Sequence, residues 1–194
     1  MISQKPLYLK PDTSFKETLD IGARGEYYAK LILDRAGHPV RYNGYGTATT
    51  EIFDKGENKR CRSTDIVCEL CGKKFEVRSK RKDIIAMSSD LEPYPDDTYV
   101  IFPIFNKRGI IFRVHIVLLE TLRSNTKKAI IETNRWNESY FKWSKKTVSC
   151  LTLNGEDVSD VWRAGEILRR FGLGCDAPNY AMNSKIGMEG MVRC

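Results

Sequence analysis

The sequence predicts an α/β domain, and three observations carry that prediction. A long run from Ser14 to about Ala36 has the spacing and the end signals of a helix. Short β-type runs separated by Gly, Asn and Pro fill the middle of the chain. A second apolar-periodic run, Asp157 to Phe171, closes at Gly172 as a C-terminal helix should.

The first helix opens with Ser14-Phe15-Lys16-Glu17, which has capping-box spacing, and stops at Gly37. Its apolar seam reads Phe15, Leu19, Gly22, Ala29, Leu33 and Ala36, and Glu26 falls in the middle of it. A carboxylate on a core-facing stripe is costly unless something pairs with it. A slightly rotated seam, with Tyr27 or Tyr28 facing inward, would leave Glu26 solvated. Gly22, Ala23 and Gly25 are weak helix formers and fit a helix that lies close against a sheet.

Pro39–Tyr45 reads as a first strand, and Thr49–Phe53 as an uncertain one. Asp65–Cys68 and Lys74–Lys80 form a hairpin about the polar turn Glu69–Gly72. Arg81–Ser89 reads as a short helix or loop, and Glu92-Pro93-Tyr94-Pro95 interrupts regular structure. Thr98–Phe105 is a near-continuous apolar run, hence a strand buried on both faces. A turn at Asn106–Gly109 leads into a strand at Ile110–Val114; Ile116–Leu122 then suits either a helix or a strand, and a helix ending near Ser124 is favoured. Tyr140–Leu153 alternates aromatic and basic residues and reads as strand-rich. The division expected is a core over residues 1–105, a β/α elaboration of the same domain over 106–175, and a tail over 176–194 that is mobile or peripherally packed.

Composition narrows the function classes. The chain has 194 residues, ample for one buried core, and a formal charge of +7, which favours an anionic partner with nucleic acid first. Charge alone does not separate that reading from a basic protein with no polyanion partner. No apolar run approaches the ~20 residues of a membrane span, and the N-terminal residues lack a signal peptide's apolar core. Six cysteines spread along a chain of this size fit thiols or metal ligands in a reducing compartment better than a secreted disulfide framework. The expectation is a cytoplasmic or nucleoid-associated protein.

Thr64–Lys80 concentrates the chemistry. In the expected hairpin Asp65 lies nearly opposite Glu76. Side-chain alternation puts Glu76, Arg78 and Lys80 on one face and Phe75, Val77 and Ser79 on the other. The charged trio is then a site or a solvated, charge-paired strand edge.

A helix bearing Gly22-x-x-Gly25-Glu26, then Asp65-Ile66-Val67, a short turn, and Phe75-Glu76-Val77-Arg78-Ser79-Lys80 resembles the PD-(D/E)xK nuclease superfamily. Restriction-type endonucleases and Holliday-junction resolvases belong to it. The resemblance covers Ser14 to about Phe105 and implies a restriction-endonuclease-like core, a central mixed β-sheet flanked by helices. It implies that Asp65 and Glu76 bind Mg²⁺ or Mn²⁺ and that Glu26 supports them. Thr64 stands where proline often precedes the aspartate, and Arg78 stands where the family usually has its lysine. Arginine stays protonated at neutral pH and cannot act as a base. Three readings stay open: Arg78 is an electrostatic stabiliser, Lys80 substitutes for the lysine, or the site binds without cutting.

Cys68-Glu69-Leu70-Cys71-Gly72 is a C-x2-C-G knuckle of the kind that holds structural zinc. Cys61 is near in sequence; Cys150, Cys175, Cys194, His38 or His115 could complete the set, and free thiols are the competing reading. His38 and His115 have no metal-ligand spacing and read as structural. Such a zinc ion would pin the hairpin turn about three strand residues (~10 Å) from Asp65, too far to be the hydrolytic metal. Basic residues cluster nearby: Lys73, Lys74, Arg78, Lys80, Arg81 and Lys82, with Lys59, Arg60 and Arg62 upstream. A second group, Lys142, Lys145 and Lys146, is interleaved with Tyr140, Phe141 and Trp143. These are the candidates for nucleic-acid contact. The expected function is a metal-dependent DNA endonuclease, restriction-type or junction-resolving, for which a homodimer suits two-strand cleavage. The alternatives are a non-catalytic nucleic-acid-binding protein of the same fold, with or without stabilising zinc, and a zinc-knuckle interaction module in which the carboxylates are incidental.

Overall fold

The computed structural model describes residues 13–42, 64–89, 91, 94–133 and 139–176. Among these, six strands form one sheet in the order β1 (Val40–Tyr42), β2 (Ile66–Cys68), β3 (Lys74–Val77), β5 (Tyr99–Phe105), β6 (Ile111–Leu118), β9 (Leu151–Asn154). Only β3 and β5 run parallel; the other neighbours are antiparallel. A second, antiparallel sheet orders β4 (Ile85–Ser88), β8 (Ser139–Trp143) and β7 (Ile130–Thr133). The helices are α1 (Thr13–Arg35), α2 (Leu119–Ser124), the single turn α3 (Glu156–Ser159) and α4 (Val161–Arg170). The expected α/β class with a mixed central sheet and flanking helices is what the chain forms. No helix among the described residues is long and apolar enough to cross a membrane.

The core has two halves, one on each face of the main sheet. On one side α1 and α4 bring Ala29, Ile32, Leu33, Ala164 and Leu168 onto Ile66, Phe75, Val77 and Ile101. On the other, β4, β8 and α2 bring Ile85, Met87, Trp143, Leu119 and Leu122 onto Val100, Phe102, Ile104 and Val117. The β5 strand feeds both, which is why its sequence shows an unbroken apolar run rather than alternation. Fully burying one such leucine or phenylalanine contributes about 1.5–3 kcal/mol.

The α1 seam is rotated from the expected one. Gly25, Ala29, Ile32, Leu33 and Ala36 are buried, Tyr27 is exposed, and Tyr28 turns inward to donate to the Val158 carbonyl at 2.9 Å. Ser14 lies inside the helix rather than capping it. Gly25 is the point of closest approach. A Cβ there would sit 1.9 Å from Ser79 Oγ and 3.3 Å from Pro103 Cγ, so only glycine lets the helix lie this close to the sheet.

Three expectations on secondary structure are corrected. Arg81–Ser89 holds β4 rather than a helix, because Ile85–Ser88 pairs with Tyr140–Trp143 far along the chain. Ile116–Leu118 continues β6, paired with β5 and β9, and leaves α2 only six residues. The C-terminal helix is broken at Asp160, whose carboxylate accepts from the Trp162 and Arg163 amides and caps α4. The uncertain strand Thr49–Phe53 lies outside the described residues, as do Lys59, Arg60, Cys61, Arg62 and Cys194.

Candidate functional site

The β2–β3 register pairs Ile66 with Phe75, which sets Asp65 level with Glu76 at the end of the ladder. Asp65 Oδ2 accepts the Val77 amide proton at 2.8 Å. Glu76 pairs with Val100, and beyond β3 Lys80 bridges to Ile104, so the two side chains share a face of the sheet. Between them the β3–β5 ladder is interrupted, and Pro103, which has no amide proton to give, sits in β5 opposite the gap. Lys80 N–H rejoins the ladder on the Pro103 carbonyl at 2.9 Å. Arg78 N–H still donates to the Ile101 carbonyl at 2.8 Å, so strand alternation keeps Arg78 beside Glu76 on one face.

Glu76 is 1% exposed on an interior strand, which overturns the solvated-edge reading of the charged trio. Its Oε1 is ion-paired with Arg78 Nη2 at 2.5 Å, while Oε2 is buried with no hydrogen-bond partner among the described residues. Arg78 Nη2 also donates to the Tyr94 hydroxyl at 2.7 Å. Burial, the Asp65 charge and the opposing Arg78 charge together leave the Glu26 carboxyl raised to about 7. Burial lifts Glu76 to about 8 despite Arg78, with Asp65 adding to the rise. Asp65 is itself raised by burial, against the pull of the Val77 amide and Arg78. Burial and the neighbouring Arg78 push Lys80 down to about 8, and no carboxylate among the described residues forms an ion pair with it.

Three acids therefore feel one arginine. They do not, however, draw their oxygens into a cluster. Among the described residues the group of acids, cysteines and histidines close enough to hold a metal lies elsewhere.

That group is His38, Cys68, Cys71 and Cys175, whose ligand atoms all lie within 4.8 Å of one another. It could hold a metal such as zinc. The elements deliver its members by local rules. Gly37, at φ +93°, ends α1 with the paired bonds of a Schellman motif, Gly37 N–H to Asp34 O (3.1 Å) and His38 N–H to Leu33 O (3.0 Å). The residue launched by that cap is His38. Gly172, at φ +73°, ends α4 the same way, with Leu173 N–H on Leu168 O at 2.8 Å, and Cys175 follows. The hairpin turn, with Gly72 at φ +71°, supplies Cys68 and Cys71.

The expected pair Cys68 and Cys71 thus has two distant partners. His38, expected as structural from its spacing, is a candidate ligand because its partners come from outside its own segment. Of the thiols named as candidates, Cys150 lies away from the cluster, its Sγ 3.5 Å from Thr152 Oγ1. His115 is also elsewhere. Its Nε2–H donates to Asp83 Oδ1 at 2.7 Å and its Nδ1 accepts from Thr152 Oγ1 at 2.9 Å.

Several basic candidates are already engaged. Lys73 donates to the Gly174 carbonyl (3.0 Å) and to Asp176 Oδ2 (2.6 Å), Arg81 pairs with Glu17, Lys142 with Glu132 and Lys145 with Asp83. Lys82 and Lys146 are exposed and Lys74 is half-buried. Tyr140 bonds Glu132 and Trp143 is buried against Phe141, so these aromatics belong to the small sheet's packing. In the sequence Tyr94 is only part of a Pro-rich break, and nothing local marks it as the partner of Arg78. For His38 and Cys175 a local signal exists, since each follows closely on a glycine that ends a helix.

No protein-family model matches the chain, and no curated protein matches it.

Proposed function

We propose that the protein is a metal-dependent endonuclease acting on DNA, with Asp65, Glu76 and Glu26 at its centre. The observation that carries this reading is the buried Glu76 carboxylate, whose Oε2 lacks a partner, beside Asp65, raised by burial, and Glu26, raised by burial and by the Asp65 charge. A buried, unpartnered carboxylate oxygen costs stability, and a hard divalent cation is a partner that would satisfy it. The order Glu26, Asp65, Glu76, Lys80 resembles the PD-(D/E)xK pattern and supports the same reading.

Bound there, Mg²⁺ or Mn²⁺ would supply Lewis-acid stabilisation of phosphate charge and a more acidic water. The protein's own groups divide the remaining work. Asp65, fixed by the Val77 amide, and Glu76 provide the anionic oxygens, and Glu26 adds a third from the helix side. Arg78, held by Tyr94, offers a permanent positive charge next to the acids. Lys80, whose pKa burial and Arg78 lower to about 8, is the group able to give and take a proton at the reacting oxygen, so it stands in for the lysine that Arg78 replaced. Exposed lysines such as Lys82 and Lys146 would dock the phosphate backbone.

Cleavage of plasmid, single-stranded and branched DNA in Mg²⁺ or Mn²⁺ tests this. Asp65→Ala and Glu76→Ala should each lose activity on the order of 10²-fold or more. Lys80→Ala should lose more than Arg78→Ala. A wild type that cuts no substrate with either ion, or acid variants that cut as well as wild type, would sink the proposal. One observation favours the second reading, a nucleic-acid-binding protein without catalysis. Arg78 already holds Glu76 Oε1, and the three carboxylates do not converge. Tight DNA binding with no cleavage would leave that reading standing.

A further inference from the structure

We propose that His38, Cys68, Cys71 and Cys175 bind one structural zinc ion that ties the ends of α1 and α4 to the turn of the β2–β3 hairpin. All four ligand atoms lie within 4.8 Å of one another, and two of the pairs stand at tetrahedral spacing. Zinc–sulfur bonds of about 2.3 Å and zinc–nitrogen bonds of about 2.0–2.1 Å place tetrahedral sulfurs about 3.8 Å apart and sulfur about 3.5 Å from nitrogen. Cys68 Sγ lies 3.8 Å from Cys175 Sγ, and Cys71 Sγ lies 3.5 Å from His38 Nδ1. The two sulfurs are far outside the ~2.05 Å of a disulfide, and all four described cysteines are free thiols.

The outer contacts select the ligand atom. His38 Nε2 faces the Leu173 carbonyl at 2.9 Å, an acceptor only, so Nε2 carries the proton and Nδ1 keeps its lone pair toward the thiols. The Cys71 amide points at Cys68 Sγ, 3.5 Å away, as it would to stabilise a thiolate. Lys73 reaches the same segment through the Gly174 carbonyl and Asp176. Zinc with three thiolates and a neutral imidazole keeps a single net negative charge, and the Lys73 ammonium lies close enough to offset it. Binding releases the three thiol protons to solvent. Soft sulfur ligands in tetrahedral array select zinc over magnesium or calcium, and four protein ligands leave no position for water, so the role is structural.

The site is independent of the proposed hydrolytic centre, and its test should keep them apart. The full chain, purified without chelator and supplied with zinc, should carry about one zinc by elemental analysis; less than about half an equivalent would overturn the proposal. Cobalt(II) loaded into the wild type should give the intense visible bands of tetrahedral coordination with thiolate-to-metal charge transfer, and zinc should displace it. A spectrum without charge transfer would overturn the assignment without recourse to any variant. Cys175→Ser and His38→Ala should lose most of the metal, whereas His38→Cys and Cys150→Ser should keep it. Equal loss in Cys150→Ser and Cys175→Ser would mean the wrong thiols. The double variant Asp65→Asn, Glu76→Gln should hold zinc like wild type; if zinc leaves there, the ion belongs to the carboxylates and not to this cluster.

Discussion

Asp83 shows how much a single side chain can organise away from the acids already described. Its carboxylate takes Arg113, Lys145 and the Nε2–H of the fully buried His115, and those contacts hold its pKa down to about 2. Burial pushes the His115 pKa below its ordinary 6.5. Both shifts act in the same direction on stability. The folded Asp83 has the lower pKa, so its contribution is complete above about pH 4 and is lost as the pH falls toward 2. The folded His115 resists a proton that the unfolded chain accepts, so stability also begins to decline below about pH 6.5. Asp83→Asn should cost about 1–3 kcal/mol at neutral pH and flatten the acid limb of the stability curve between pH 4 and 2. Urea titrations at several pH values would read both. An unchanged acid limb would mean that Asp83 is not the titrating group.

At the scale of elements, the crossing of α1 and α4 depends on Gly165. A Cβ there would lie 2.4 Å from Arg35 Cβ and 2.7 Å from the Arg35 carbonyl carbon, and backbone cannot step aside as a side-chain tip can. Alanine is intrinsically the better helix former by about 1 kcal/mol, so an isolated helix would gain from Gly165→Ala. In the protein the clash should win, with a net loss of about 1–3 kcal/mol on thermal unfolding.

The elements themselves were unevenly legible in the sequence. Both long helices and the Asp65–Glu76 hairpin stood out because apolar period, the closing glycines and turn residues agree locally, although the expected Ser14 cap and the start of the last helix did not hold. The strand β4 did not, since Ile85–Ser88 becomes a strand only by pairing with Tyr140–Trp143. Ile116–Leu118 misled for a similar reason: an unbroken apolar run suits a helix or a doubly covered strand, and β5 and β9 decide between them. The break at Asp160 is missed by the apolar period, which runs on through it, although aspartate is a good capping residue.

Across the whole molecule, what was legible depended on sequence distance. The Cys68-x2-Cys71 pair is readable because one turn makes it. Its partners come from the ends of two helices that meet only because α1 packs on α4. In the same way Arg78's placement at the position of an expected lysine was visible, but its pairing with both Glu76 and Tyr94 was not. The interior position of Glu76 follows from β3 lying between β2 and β5, a fact of topology that strand alternation alone leaves open.

The two glycine-terminated helices have a consequence for the unfolded chain. Cys68 and Cys175 stand 107 positions apart, and His38 lies further upstream still. Were the proposed zinc to stay bound as the chain unfolds, a bond through one ion between such positions would act as a cross-link on the unfolded ensemble, removing conformations that an open chain would explore. For a loop of about 100 residues that restriction amounts to roughly 4–5 kcal/mol in the chain-entropy picture. The effect would reside in the disordered state, where no contact of the folded protein reveals it. Stripping the metal with a strong chelator should therefore lower the urea midpoint and steepen the denaturant dependence, because the released chain expands further when it unfolds. A lowered midpoint with an unchanged slope would assign the ion's effect to the folded state instead.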